Sequence, residues 1–320
     1  MSRSQSIWEA RRALALGLML GWSFRVRAAE DRGRNIAVLY PDIGEPYRSV
    51  FAAIIGGIED QANGRVASFA VGGNASAQDM ASELRRRDVK TLIALGRNGL
   101  KLAAAMDRQW AVVAGGVIAV PDVQAREWPV QSLAPDPSLL FARLKAMMPG
   151  ARRVMVVYDP RQNDWLMRLA REAAKAQGLD LLVFEAADLK TAVHHYKDVF
   201  ASADTRRDVL WLPQDSTTVD EAVVLPMVLE ESWGRGLAVF SSNVGHVRRG
   251  VLFALYPDNT EMGRGLARQA LNVATGSGVA QPGVSPLKEV LLAVNTRTAS
   301  HLGVNVDTRR LRVEMVFPEP

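Results

Sequence analysis

The chain has 320 residues, more than one typical domain core supports, so we expect two domains. It is 48% hydrophobic and 23% charged, which is ordinary for a folded globular protein and excludes a disordered one. The net charge of +5 is concentrated at the start, because residues 1–28 hold five arginines and one glutamate whereas the rest holds 34 basic and 33 acidic side chains. Charge therefore gives no reason to expect nucleic-acid binding.

The first residues have the pattern of an export signal. Arg11 and Arg12 precede an apolar run of 12 residues, 13–24, which is too short to span a bilayer comfortably, and small residues follow before Ala29. We predict a signal peptide over residues 1–29 and a periplasmic protein, with an uncleaved anchor as the alternative. The chain has no cysteine, so it has no disulfide, no thiol chemistry and no lipid-anchoring cysteine.

From Asn35 onward, short aliphatic runs alternate with helical stretches, which is the pattern of parallel sheets covered by helices. In the first half, Asn74 and Asn98 suit helix N-caps and Gly64 suits a helix stop. The predicted strands are 36–40, 66–71, 89–95 and 111–114, and the predicted helices are 46–61, 75–87 and 98–107.

A loop-rich boundary is predicted where Pro121, Pro129, Pro135 and Pro137 interrupt the pattern. The second half then repeats the alternation, with Pro226 expected to kink or divide its third helix. The predicted strands are 154–158, 181–184, 209–212, 237–240, 251–255 and 290–294, and the predicted helices are 162–177, 189–201, 218–233, 259–274 and 297–302. The fold class is thus α/β, with two doubly wound parallel-sheet lobes.

Ligands of open parallel sheets bind beyond the carboxyl ends of the strands. Polar residues in the loops that follow the strands can cap helices or contact a ligand. Four aromatic residues near these loops could enclose a planar group: Tyr40, Tyr47, Tyr158 and Trp165. We expect Asp215 to hold a cationic or hydroxyl group, so that replacing it by Ala weakens binding without loss of folding. The candidate ligand-binding residues are Tyr40, Asp42, Asn98, Asp159, Asn163, Asp215, Ser216, Thr217 and Asn243.

Four stretches resemble the ABC-transporter substrate-binding proteins of the tryptophan/tyrosine-binding type. They are VLLAVNTRTASHLGVNV (290–306), PDPSLLFARLKAMMPGARRVMVVYDP (135–160), LPQDSTTVDEAV (212–223) and GVLFALYPDNTEMGRGLARQALNVATG (250–276). The chain departs from the family's usual Gly-Thr-Pro at residues 96–99 and from its usual acidic and Asn/Ser pattern at 161–164. Both departures fall where a ligand would touch, so the resemblance predicts the fold of this chain more firmly than it predicts the ligand.

The resemblance implies a periplasmic-binding-protein type I fold with two lobes joined by a hinge near Leu133, Asn243 and Gly276. The lobes implied are 30–133 plus 244–276 and 134–243 plus 277–320. It also implies a monomer without a cofactor, which captures a small organic molecule, by default an amino acid, in an interlobe cleft and delivers it to an ABC permease of the inner membrane.

Other classes of function fit less well. The sequence has no G-x-G-x-x-G after its first strand, no G-x-x-x-x-G-K-[ST] phosphate loop and no G-x-S-x-G elbow, so we expect no enzyme. Its four histidines do not suggest a metal site, and a sugar-responsive repressor would begin with a helix-turn-helix domain. The remaining alternative is an exported accessory protein that presents its ligand to a membrane sensor.

Overall fold

A computed structural model of the chain describes residues 35–45, 47–64, 66–118, 126–275 and 281–318. The predicted signal peptide lies outside these residues, as do Pro121 and the predicted hinge position Gly276. None of the described helices is long and apolar enough to cross a membrane.

Two compact units make up the chain, and each is built from two segments. One unit takes the chain up to Gly115 together with Asn259–Gln281, and the other takes Gly116–Asp258 together with Pro282–Pro320. These bounds differ from those of the predicted lobes, which assigned residues 116–133 and 244–258 to the first lobe and residues 277–281 to the second. The hinge positions themselves stay a prediction.

The first sheet has six strands in the order β11-β5-β4-β3-β1-β2. Strand β1 (Ile36–Pro41) lies next to the edge strand β2 and pairs in parallel with both β2 and β3. Four consecutive residues of β1, 36–39, are fully buried, which is why the run is continuously apolar rather than alternating. The other strands are β2 (Ala67–Val71), β3 (Thr91–Leu95), β4 (Ala111–Val117), β5 (Pro129–Pro135) and β11 (Gly283–Leu287).

Four described helices belong to the first unit: α1 (Tyr47–Ala62), α2 (Ala77–Arg86), α3 (Gly96–Ala105) and α9 (Asn259–Thr275). Helices α1 and α9 of this unit cross with their backbones close together. A Cβ atom added at Gly57 would lie 2.0 Å from the Thr260 carbonyl oxygen, and one added at Gly263 would lie 2.0 Å from the Ile54 carbonyl oxygen. The two backbones are thus in direct contact, which only glycine permits.

The second sheet has seven strands in the order β13-β12-β10-β9-β8-β6-β7. The five strands from β7 to β10 run parallel, and β12 pairs antiparallel with β10. The strands are β6 (Arg153–Tyr158), β7 (Asp180–Glu185), β8 (Asp208–Leu212), β9 (Ala238–Ser241), β10 (Phe253–Pro257), β12 (Val290–Asn295) and β13 (Val313–Phe317).

Seven described helices belong to the second unit: α4 (Pro137–Met147), α5 (Pro160–Ala176), α6 (Leu189–Ser202), α7 (Val224–Arg235), α8 (Val244–Arg249), α10 (Thr296–His301) and α11 (Thr308–Leu311). On one face of the sheet, Trp211 stacks on Phe240 with ring centroids 6.2 Å apart, and Phe141 of α4 meets Trp211 edge-on at 5.6 Å. These fully buried rings anchor the core, because aromatic pairs contribute beyond the area they bury.

Tyr196 of α6 is fully buried in the core on the other face, and its hydroxyl has no hydrogen-bond partner among the described residues. A buried hydroxyl without a partner costs about 1–3 kcal/mol. We therefore expect Tyr196→Phe to raise the free energy of unfolding by about 1 kcal/mol in urea titrations. Tyr158→Phe is the matched control and should lower it, because the Tyr158 hydroxyl donates to Glu185 Oε1 at 3.1 Å. Equal losses in both variants would contradict the prediction.

The two sheet orders confirm the predicted fold class. In the first sheet β2 lies on one side of β1, and β3 and β4 lie on the other. In the second sheet β7 lies on one side of β6, and β8 and β9 lie on the other. This is the doubly wound arrangement. The predicted strands of both halves are present, with ends shifted by a few residues. The element prediction lacked strands β5, β11 and β13, the 11-residue helix α4 and the short helices α8 and α11.

Several predictions about local structure are wrong. The predicted proline-rich loop contains β5, with Pro129 and Pro135 as its first and last residues, where a strand tolerates a missing N–H. Asp136 then caps α4, and Pro137 takes the first helical position. Helix α7 begins at Val224 rather than at 218, so Pro226 falls in its first turn and causes no kink.

Three assignments of helix ends are also wrong. Helix α2 is capped by Ser76, whose side chain accepts from the Asp79 N–H, and not by Asn74. Asn98 lies inside α3, which already begins at Gly96. At the end of α1 the residue with positive φ is Asn63, at 55°, and not Gly64, because Asn tolerates the left-handed region better than most residues.

Candidate functional site

Each sheet has one point where the strand order reverses, between β1 and β3 in the first and between β6 and β8 in the second. In open α/β sheets a crevice opens at this point, outside the carboxyl ends of the strands. We call the corresponding places the first edge and the second edge. Of the nine predicted residues, the structure places Tyr40, Asp42 and Asn98 at the first edge and the other six at the second.

At the second edge Asp159 follows β6 and caps α5. Its Oδ1 accepts from the Arg161 N–H at 3.0 Å, and Pro160 occupies the first helical position, so the Asp-Pro sequence encodes this corner. The Arg161 guanidinium also donates to both carboxylate oxygens. This two-point pairing holds the pKa of the Asp159 carboxyl well below its usual range, although burial opposes the shift.

Asp215, in the loop after β8, is 5% exposed and bonds to four surrounding N–H donors at ordinary distances. Oδ1 accepts from the backbone N–H groups of Thr217 at 3.0 Å and Thr218 at 2.9 Å. Oδ2 accepts from the Asp159 N–H at 2.7 Å and from Asn163 Nδ2 at 2.9 Å. A carboxylate has about four acceptor sites, so this one is filled by the protein, and it ties the loop after β6 to the loop after β8.

Gln162 is a residue of this edge that the sequence prediction missed. Its Nε2 donates to Thr217 Oγ1 at 2.8 Å, and its Oε1 accepts from Ser216 Oγ at 3.2 Å. It therefore orients both hydroxyls of the loop after β8. Its place in the first turn after the Asp159 cap was the only available signal, and it does not distinguish Gln162 from a solvated helix residue.

Asn243 begins the third part of the second edge, after β9. Its Oδ1 accepts from the Gly245 N–H at 2.9 Å, so it acts as the cap of α8. Two polar residues beside it are buried. Ser241 Oγ lies 2.8 Å from His246 Nδ1, and His246 Nε2 lies 2.9 Å from Glu221 Oε1. A neutral imidazole with its proton on Nε2 satisfies both contacts.

His246 should make stability depend on pH. Burial lowers the pKa of His246, and Glu221 opposes this in part, whereas Arg249, which pairs with Glu221, adds to it. The folded state binds the His246 proton less readily than the unfolded state. Above the unfolded pKa, near 6.5, this difference does not change the free energy of unfolding. As the pH falls through that value, protonation favours the unfolded state and the free energy of unfolding decreases.

We expect the stability advantage of the wild-type protein over His246→Gln to shrink between pH 7.5 and pH 5.5. Urea titrations at both pH values measure it. His194→Gln is the control for the substitution itself, because the His194 side chain is 74% exposed, and at pH 7.5 it should change stability less than His246→Gln does. An advantage over His246→Gln that is equal at both pH values would refute the role.

The first edge is sparser. Asp42 is exposed and its N–H donates to the Val71 carbonyl oxygen at 3.0 Å, which continues the pairing of β1 with β2. Asn98 Nδ2 donates to the same oxygen at 3.3 Å. Beside Asn98 is a small cavity of about 70 Å³, which Gly72, Gly73 and Lys101 also line. Tyr40 is half-buried in β1.

The four aromatic residues predicted to enclose a planar group do not all lie in one unit, and the two in the second unit belong to its core. Tyr158 is fully buried in the core of the second sheet, and Trp165 packs against the same core while its Nε1 donates to the Gln162 carbonyl oxygen at 3.2 Å. Tyr47, in the first unit, is 63% exposed. No group of three or more His, Asp or Glu side chains within the described ranges could hold a metal ion.

Comparisons with known proteins agree with this architecture. The family profile described as ABC transporter substrate binding protein matches residues 141–314, more than half of the chain. A search of curated proteins found no match.

Three solved structures show the same fold. The ligand-free, open form of a substrate-binding protein with adhesive properties from Clostridium difficile has a TM-score of 0.64 at 14% identity, covering 89% of this chain and 100% of that one. A conserved domain protein from Vibrio cholerae gives 0.54 at 15%, covering 88% and 99%. An ABC domain in complex with L-Trp from Streptococcus pneumonia gives 0.53 at 16%, covering 88% and 100%. On the family match, the chain belongs to the ABC transporter substrate-binding proteins and has the periplasmic-binding-protein type I fold.

Proposed function

We propose that this protein is an exported substrate-binding protein that captures one small organic molecule and delivers it to an ABC permease. One observation supports this best. In both sheets, polar loops lie at the point where the strand order reverses, and the chain belongs to this family. In this proposal one ligand is held between the two edges in the periplasm, the hinge closes the lobes around it, and the protein acts as a monomer without catalysis.

The nine candidate residues divide into two roles under this proposal. Side chains that are already bonded within the protein position the loops, and they are Asp159, Asn163, Asp215 and Asn243. The other five side chains are exposed or half-buried, and we assign them to contact with the ligand even though three of them also have one hydrogen bond within the protein. They are Tyr40, Asp42, Asn98, Ser216 and Thr217. Gln162 joins the positioning group, because it holds Ser216 and Thr217.

An amino acid is our first candidate for the ligand, because the solved relative from Streptococcus pneumonia is in complex with L-Trp. An α-carboxylate suits the hydroxyls at the second edge, and an ammonium suits the exposed carboxylate of Asp42. A ligand that binds only the folded state raises the melting temperature. The test is therefore a thermal-shift screen of the refolded, ligand-free chain against amino acids, purines, sugars and organic acids.

We expect one chemical class to raise the melting temperature and to bind saturably by calorimetry. Ser216→Ala should then weaken binding several-fold, on the order of 1 kcal/mol for one hydrogen bond. Ser202→Ala is the matched control, because Ser202 is in the same unit but its hydroxyl donates to the Asp198 carbonyl oxygen of its own helix. No shift with any compound, together with no small molecule in mass spectra of the freshly purified, denatured protein, would refute ligand capture.

Presentation of the ligand to a membrane sensor is the second candidate, since it needs the same pair of edges. Deletion of the gene in its host separates the two. Loss of uptake of the radiolabelled ligand supports delivery to a permease. Unchanged uptake with loss of the transcriptional response to the ligand supports sensing.

A further inference from the structure

The second edge carries an exposed guanidinium that is not among the nine predicted site residues. Arg161 is the second residue of α5 and follows Asp159, the cap, and Pro160. Arg161 and Asp159 form an ion pair, in which the arginine side chain is 66% exposed and the aspartate side chain is 1% exposed. The pair therefore presents its cationic half to solvent and keeps its anionic half within the fold.

Four hydrogen bonds fix the direction of the Arg161 guanidinium. Nε donates to both oxygens of Asp159, at 2.9 and 3.2 Å, and Nη2 donates to Asp159 Oδ2 at 2.6 Å. Nη2 also donates to the carbonyl oxygen of Ala187, in the loop after β7, at 2.6 Å. These bonds use every N–H group of Nε and Nη2. Nη1, which carries two N–H groups, has no hydrogen-bond partner within the part of the chain that the structure describes.

The other carboxylates near Arg161 have partners of their own and do not occupy Nη1. Asp215 is filled by the four N–H donors that surround it. Asp188 caps α6 and accepts from the backbone N–H and the hydroxyl of Thr191, at 2.8 and 2.9 Å. Among the described residues, Arg161 forms an ion pair with Asp159 alone. Its Nη1 edge is therefore open to a partner from outside the chain.

The hydroxyls of the second edge offer fewer donors than Arg161 does. Ser216 Oγ donates its one proton to Gln162 Oε1 at 3.2 Å, and Thr217 Oγ1 accepts from Gln162 Nε2 at 2.8 Å. Together the two hydroxyls have at most one proton left for a ligand. Nη1 of Arg161 has two, and a hydrogen bond from a charged donor is roughly twice as strong as one from a neutral donor. Arg161 is therefore better suited than either hydroxyl to hold an anionic group.

We infer that Arg161 determines which class of molecule is captured: the ligand carries a carboxylate, and Arg161 holds it through Nη1. A carboxylate suits this position because its oxygens accept charge-assisted hydrogen bonds and because the guanidinium is already fixed in direction. The inference rests on the proposed capture of a solute and narrows the ligand from any small organic molecule to a carboxylic acid. A sugar or a purine lacks the group that Arg161 would hold.

The experiment compares acids with their carboxamides in thermal-shift assays and calorimetry of the refolded, ligand-free full chain. The probes are L-tryptophan with L-tryptophanamide, L-glutamate with L-glutamine, succinate with succinamide, and benzoate with benzamide. We expect at least one acid to bind saturably and its carboxamide to bind about tenfold more weakly or worse, since the neutral group loses the charge-assisted bonds. This preference for the acid should decrease as salt is added.

Substitutions at Arg161 test whether this residue causes the preference. Arg161→Gln should weaken binding of the acid about tenfold or more and change binding of the carboxamide less than about twofold. Arg161→Lys keeps the charge and should recover part of the lost affinity. Arg168→Gln is the matched control, because it removes an exposed arginine of the same helix whose ion pair to Asp164 is 3.8 Å long, and it should leave both affinities unchanged. Melting temperatures of the ligand-free variants check folding.

Two outcomes overturn the inference and leave the capture of a solute intact. One is binding of sugars or purines in the screen of the proposed function without binding of any acid. The other is an equal loss of acid and carboxamide binding in Arg161→Gln, which is the result expected if Arg161 only supports the Asp159 cap. Absence of saturable binding by every compound overturns the inference together with the proposed function.

Discussion

Gly57→Ala is expected to lower the free energy of unfolding by about 3 kcal/mol or more, the upper range for an added methyl group in a packed interior. The new Cβ would lie 2.0 Å from the Thr260 carbonyl oxygen and 3.1 Å from the Arg264 backbone nitrogen. Both atoms belong to the backbone of α9, so no rotamer change relieves the overlap. The two helices must separate, and the helix propensity gained from Ala, about 1 kcal/mol, is too small to offset this.

The neighbouring glycine supplies the control. A Cβ added at Gly56 meets nothing within 4 Å, so Gly56→Ala should stabilise the protein by about 0.5–1 kcal/mol through helix propensity alone. Gly263→Ala should resemble Gly57→Ala, because its Cβ would lie 2.0 Å from the Ile54 carbonyl oxygen. The double variant should cost less than the sum of the two, since one separation of the helices relieves both overlaps. Urea titrations of all four variants check this, and equal stability of Gly56→Ala and Gly57→Ala would contradict the close crossing.

Asp215→Ala is expected to destabilise the protein by about 3 kcal/mol, because it leaves buried N–H groups without an acceptor. The groups affected are the backbone N–H groups of Asp159, Thr217 and Thr218 and the amide of Asn163. Asp215→Asn should also destabilise it, since the amide nitrogen of Asn would face donors where a carboxylate oxygen accepted. This differs from the expectation drawn from the sequence, in which the substitution changed binding and spared the fold.

Asp164→Ala is the matched control for Asp215→Ala. Asp164 belongs to the same corner, but its side chain is 55% exposed and its one ion pair, to Arg168, is 3.8 Å long, so its loss should cost under about 1 kcal/mol. Chemical denaturation of the two variants decides the matter. If Asp215→Ala proves as stable as Asp164→Ala, the carboxylate does not hold the loops, and a direct ligand role for Asp215 regains support.

Some of the candidate site was readable from the sequence because its cause is local. Asp159 followed by Pro160 after an apolar run is the pattern of a cap and a first helical residue, and the structure has both there, whereas the prediction began this helix two residues later, at 162. Asn98 was misplaced because capping preference alone does not say where a helix begins, and α3 starts two residues earlier at Gly96. The role of Gln162 depends on partners in the loop after β8, so no local pattern marks it.

The order and type of most elements could be predicted from the chain alone, since strands buried on both faces need continuous apolar runs and helices need a 3.6-residue period. The resemblance of four stretches, in their order along the chain, also indicated the family, which the family profile confirms. Which polar groups of the second edge are hydrogen-bonded within the protein is visible in the folded structure alone, because the donors around Asp215 come from two separate loops. The folded structure likewise shows that Gly57 and Gly263 meet at a helix crossing and that Arg161 donates to the carbonyl oxygen of Ala187. These contacts join residues far apart along the chain, and a local pattern carries no information about them.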